Sequence, residues 1–239
     1  MHLAYGLGTM KRLLLFFLPF IVVACSADNE ALKQPTNISF KMDINRSPTK
    51  GGSLVFDDGY LILSRFTFDG ERIQGGDNYF DRRFESGLVV PFDAELGIYD
   101  LDFDVPQGNY SRIEVEFEIE YKSEDEDEIS LEVRGNYTNS DGLSYPIVLQ
   151  LEELKIFGVN ARNGEGGTEV ILVSDRQSIG TIELNPVHWF AGVSIEDLDE
   201  AELVNYQGVQ TILINEDENS DILDEVEDKV DELLDLVIL

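Results

Sequence analysis

In "YDLDFDVPQGNYSRIEVEFEIEY", Tyr99 to Tyr121, polar and apolar residues alternate on both sides of one turn signal. Tyr99, Leu101, Phe103 and Val105 alternate with Asp100, Asp102 and Asp104; beyond "PQGN", Ile113, Val115, Phe117, Ile119 and Tyr121 alternate with Glu114, Glu116, Glu118 and Glu120. Side chains repeat every two residues only in a strand, so each run predicts a strand with one buried and one wet face. The Pro and Gly between them predict a β-hairpin.

The same signal recurs along the chain. "NISFKMDI" turns Ile38, Phe40, Met42 and Ile44 inward, and Tyr60 to Phe68 is a denser apolar run. Further strands are expected at Ile129 to Tyr137 and Ser144 to Leu151, joined through Asp141-Gly142, and then at Thr168 to Val173 and Ile179 to Leu184. Short strands at fairly even spacing, without intervening helices or internal repeats, predict a mainly β fold: an antiparallel β-sandwich with short C-terminal helices packed on it. Ser194, with Asp197 three residues on, predicts a capped short helix. From Ser220 to the end, Ile222, Leu223, Val226, Val230, Leu233, Leu234 and Val237 fall at helical spacing, which predicts one amphipathic helix buried along that stripe.

Charge narrows the partners. Asp and Glu number 48 against 17 Lys and Arg, a formal charge of −31, and a field of that sign repels a phosphate backbone; nucleic acid is excluded as a partner. Cys25 is the single cysteine, so no internal disulfide forms and a metal site must rest on oxygen ligands or a lone imidazole.

At the N-terminus, Lys11 and Arg12 precede an uncharged run, Leu13 to Val23, of signal-peptide length and too short to span a bilayer. Val22, Val23, Ala24 and Cys25 resemble the lipobox of bacterial lipoproteins, with Val22 where leucine is usual. The resemblance implies cleavage before Cys25 and acylation of that cysteine, which anchors the protein through lipid. Ser26, Asp28 and Glu30 look loosely like the acidic export tag of surface lipoproteins of the Bacteroidetes type. The body, with "FDVPQGNYSRIEVEFEI" and "HWFAGVSIEDLDEA", resembles β-sandwich lipoproteins of the same type, and that likeness brings no catalytic residues. The expected organisation is a signal peptide at 1–24, a flexible tether at 25–36 and a β-sandwich domain with a C-terminal helical segment at 37–239. The expected address is the outer membrane.

No catalytic motif stands out. His188 in "NPVHWFAG" has no nucleophile elbow to serve, and beside Trp189 and Phe190 it reads as a packed or capping residue. "NGEGGTE", Asn163 to Glu169, lacks the Lys-Ser/Thr of a phosphate loop and reads as a loop. Calcium is the cofactor to consider. Asp100, Asp102 and Asp104 have the D-x-D-x-D start of an EF-hand loop, but Val105 and Ser111 replace its glycine and its bidentate glutamate. Asp217, Asn219 and Asp221 alternate similarly, with Ile222 where glycine is required.

The glutamate row needs no ligand. Alternate strand residues lie about 6.8 Å apart, where two exposed charges repel by roughly 0.6 kcal/mol in water. Burying one apolar partner on the other face gives about 1.5–3 kcal/mol. The glutamates are therefore expected to solubilise a sheet face, with cation binding as the alternative. Together these readings predict a non-enzymatic, lipid-anchored module that binds a protein or glycan ligand; the alternative is a glycan-directed hydrolase using paired carboxylates.

Overall fold

The computed structural model describes residues 30–93, 95–120 and 129–239. Cys25 and the acidic stretch 121–128 lie outside the described residues.

Alternating runs become strands. After a 3-10 turn at Glu30–Lys33 come β1 (Pro35–Ile44), β2 (Leu54–Arg72) and β3 (Asn78–Pro91), then a second 3-10 turn at Tyr99–Leu101. β4 (Asp102–Pro106), β5 (Gly108–Ile119), β6 (Leu131–Thr138), β7 (Ser144–Leu151), β8 (Lys155–Asn163), β9 (Val170–Leu172) and β10 (Ser178–Leu184) follow. Helices α1 (Pro186–Trp189) and α2 (Ile195–Glu200) precede β11 (Leu203–Tyr206) and β12 (Val209–Ile214). Helix α3 (Ser220–Glu227) and β13 (Asp235–Ile238) complete the described chain.

The strands form one sheet in the order β11-β12-β7-β6-β2-β5-β8-β13-β10-β1-β4, with β3 beside β2 and β9 beside β5. β2 is its spine. Leu54 to Leu61 pair with β6 and Leu63 to Arg72 with β5, while Tyr60 to Gly70 pair with β3 on the other edge. Register shifts at Phe56/Asp58, Leu63/Arg65 and Glu71/Arg72 are bulges that let so long a strand bend. The β1–β4 end folds across β2 and β3. Phe40 of β1 lies 5.0 Å from Phe66 of β2, and Phe103 of β4 stacks on Phe80 of β3 at 3.8 Å. The resulting core runs from Ile38 to Ile238 as one cluster. Phe40 covers Gly180 and Tyr110 covers Gly70, where a Cβ would meet the rings at 2.6 Å.

Three expectations change. The sheet is mixed: β1 with β10, β7 with β12, and β8 with β13 are parallel. Sequence periodicity fixes which face is buried and not which neighbour pairs, so strand direction was illegible.

The "PQGN" hairpin does not form. β4 pairs with β1, and β5 with β2, β8 and β9. Any hairpin register that aligned both apolar rows would also set aspartates opposite glutamates, an unfavourable cross-strand pairing. In β1, Asp102 and Asp104 instead face Ser39 and Asn37. The Tyr110 hydroxyl donates to the Pro106 carbonyl at 2.6 Å and braces the crossing between the two strands. Tyr99, expected inside, is exposed in its 3-10 turn.

The terminal helix stops at Glu227. Ile222, Leu223, Val226 and Val230 are buried as the stripe required, but Leu233 is 63% exposed with φ +53°. Asp235–Ile238 leaves the helix to pair with β10 on one side and β8 on the other, burying Leu236 and Ile238. A strand there fills a gap between two strands that would otherwise present unpaired backbone, and this outweighs helical spacing.

Candidate functional site

The acidic rows are cross-paired, not bare. On the outer face of β2, β3 and β5, Arg65 bridges Asp81 at 2.9 Å and Glu118 at 3.0 Å, and Arg112 meets Asp69 at 2.9 Å as well as Glu114. Glu116 is exposed between them. The Arg65 guanidinium holds the Asp81 carboxyl below its ordinary range.

The two calcium candidates behave differently. Asp100 accepts from Arg82 at 2.7 Å, while Asp102 and Asp104 share the Asn37 amide, so the triplet does not converge. Of the second triplet, Asp217 donates its backbone N–H to the Asn215 side chain at 3.1 Å. Asn219 is a clamp: its amide accepts from Glu202 N at 2.7 Å and donates to the Glu202 and Leu213 carbonyls at 3.1 and 2.6 Å. Its φ of +51° at the start of α3 suits asparagine. No group of three or more His, Cys, Asp or Glu side chains gathers around a common point among the described residues.

Asn219 and Asp221 do meet elsewhere, in an open hollow of about 430 Å³ between α2 and α3. Asp197, Glu200, Glu202, Asp221 and Glu225 line it, with Val193, Ala201 and Ile222 as its apolar floor. One wall is fixed by the capping box. Asp197 N donates to Ser194 Oγ at 3.0 Å and Ser194 N to the Asp197 carboxylate at 2.9 Å, which holds that carboxyl below its usual range. The other wall is fixed by the Asn219 clamp. Lys50 and Lys229 stand beside the Asp197–Glu225 end; Lys50 is pushed below its ordinary pKa by burial and by Lys229. Glu200, Glu202 and Asp221 have no side-chain partner among the described residues. The arrangement offers negative charge to a cationic group; Ser220 also lines it.

Two other polar clusters are structural. Glu132, 1% exposed on β6, accepts from Gln150 at 2.7 Å and Tyr206 at 3.2 Å and pairs with Arg134; Asn215 extends the network to Gln150 at 3.2 Å. Oε2 of Glu132 takes both hydrogen bonds while Oε1 has only the Arg134 ion pair, and the cluster ties β6, β7 and β11 together. His188 caps nothing with its ring, which meets Glu232 at 3.0 Å, while its N–H donates to the Asn185 side chain that caps α1. Sequence spacing could not find the α2–α3 hollow, because Glu200, Glu202 and Asp221 come together only when β11 and β12 return the chain. The capping box at Ser194 was legible, and Asn219 and Asp221 stood out in the sequence only as members of an alternating triplet.

Comparison with protein-family models, with curated proteins and with solved structures finds no match.

Proposed function

We propose that the chain is a non-enzymatic binding module of the cell envelope, carried at the outer membrane by acylation of Cys25, whose sandwich-like β scaffold holds the α2–α3 hollow toward a cationic protein partner. The observation that carries this reading is the set of three carboxylates, Glu200, Glu202 and Asp221, without a side-chain partner among the described residues, on walls held by a capping box and by the Asn219 amide. Rigid walls reduce the ordering cost of binding. A single exposed ion pair contributes only about 0.2–1 kcal/mol, so the ligand has to present several positive charges at once. Lys50 and Lys229 at one end would bias such a ligand toward the Glu200–Asp221 end.

Titration calorimetry with a short oligolysine peptide at low ionic strength tests the reading. Saturable binding is expected, weakened by added sodium chloride, and lost in the double variant Glu202→Gln, Asp221→Asn. The double variant Asp102→Asn, Asp104→Asn should bind as the parent does. Equal affinity in all three proteins would show that only diffuse negative charge is being measured. Saturable calcium binding removed by Asp221→Asn would turn the hollow into a metal site and overturn the protein-partner reading.

A further inference from the structure

The tether enters the fold at one definite end. Arg72, the last residue of β2, gathers the carbonyls of Leu32 at 2.8 Å, Gly76 at 2.7 Å, Gln107 at 3.2 Å and also Gly75. One guanidinium thus fixes the entry segment, the β2–β3 turn and the β4–β5 crossing together. The opposite end of β2 is 19 residues along the strand. Leu54 pairs with Tyr137, next to the β6–β7 turn that carries Leu143, and a 19-residue strand at about 3.3 Å per residue spans at most roughly 60 Å.

The tethered end carries exposed aliphatic side chains in a row. Ile73 N donates to Asn109 O at 2.9 Å, and Asn109 in turn pairs with Ile171 of β9, so Ile73 and Ile171 flank one strand position. They are 55% and 51% exposed. Ile73 shares a shallow hollow with Leu32 and Gly108, and Ile171 shares another with Ile238 and Leu239. Arg176, Glu165 and Glu169 also line the second hollow, and Glu169 accepts from the Asn109 side chain at 3.2 Å, beside the two isoleucines.

The geometry points to this end as a membrane-contacting face, with Ile73 and Ile171 resting in the phospholipid interface; the inference depends on the lipid anchor at Cys25. Its occupant follows from reach. Glu30 is five residues from Cys25, and five residues of chain cannot extend beyond about 18 Å. An acylated Cys25 therefore keeps Glu30, and the Arg72 end it leads into, within about 18 Å of the bilayer surface, while the Leu143 end is free to face outward. Isolated aliphatic residues bind lipid too weakly to hold a protein there alone, but a tether raises their effective concentration at the interface. The acidic rim residues keep the contact shallow.

The test places an environment-sensitive fluorophore on Ile73→Cys or, as the far-end control, on Leu143→Cys, in full-length protein acylated at Cys25 and reconstituted into vesicles containing brominated phospholipid. Acylation consumes the native thiol, so only the new cysteine is labelled. The probe at position 73 should lose fluorescence to bromine quenching and the probe at 143 should not. Equal quenching at both positions, or none at either, in protein that carries palmitate would overturn the membrane-contacting face while leaving the anchor standing. Protein without palmitate would overturn the anchor and this inference with it.

Discussion

Four tyrosines keep their hydroxyls neutral inside the fold, for the same physical reason. Burial raises the pKa of Tyr110 to about 12 and raises those of Tyr137, Tyr60 and Tyr206; the Asp199 carboxylate adds to the effect at Tyr137, and Glu132 at Tyr60 and Tyr206. In the unfolded chain the same groups ionise near pH 10. A raised folded pKa means that this stabilisation is whole below about pH 10 and is lost as pH climbs toward 12. The protein should therefore unfold cooperatively in that alkaline window, with tyrosinate absorbance and the loss of far-ultraviolet circular dichroism rising together. Full ionisation near pH 10 with the β signal intact would contradict the burial of Tyr110 and Tyr137. Their neighbourhood was only half legible. The turn residues before Tyr110 mark a bend, but nothing in the sequence says that its hydroxyl will return to Pro106 and span two strands that are not partners.

At the scale of elements, legibility tracked how local the determinants are. β7 spans Ser144–Leu151 as expected from the Asp141-Gly142 turn before it, and the α2 capping box forms from four adjacent residues. β8 was missed although Phe157, Val159 and Ala161 alternate inward, and β3 was missed because Asp81, Arg82 and Arg83 interrupt any pattern. The last segment carries the sharpest test, because helical spacing and the observed structure disagree on one residue. If α3 continued, Leu233 would be buried and Leu233→Asp would destabilise the domain by several kcal/mol. Since Leu233 is exposed at positive φ, Leu233→Asp should stay within about 0.5 kcal/mol of the parent, and Leu233→Gly should stabilise by up to roughly 1 kcal/mol by removing a Cβ from a left-handed position. Val230→Asp, at a fully buried site, should cost several kcal/mol. Urea midpoints of the three variants check this ordering, and a large loss at Leu233 would restore the continuous helix.

For the whole molecule, strong negative charge is distributed by the fold into two kinds of surface. Across β2, β3 and β5 the carboxylates are matched by Arg65 and Arg112, which explains how Glu114 and Glu118 sit beside other acids without a ligand. Between α2 and α3, Glu200, Glu202 and Asp221 have no side-chain partner among the described residues, and there the chain can attract a cation. No sequence pattern distinguishes these two fates, since pairing depends on which strand arrives alongside. The described chain enters beside Ile73, and the β6–β7 turn lies at the other end of β2. Which end faces a membrane rests on the proposed acylation of Cys25. Metabolic labelling with radioactive palmitate, followed by membrane fractionation, measures it most directly. The parent should carry label and sediment with membranes, and Cys25→Ser should lose both; label retained by Cys25→Ser, or a membrane-bound parent without label, would contradict the lipid-anchored module.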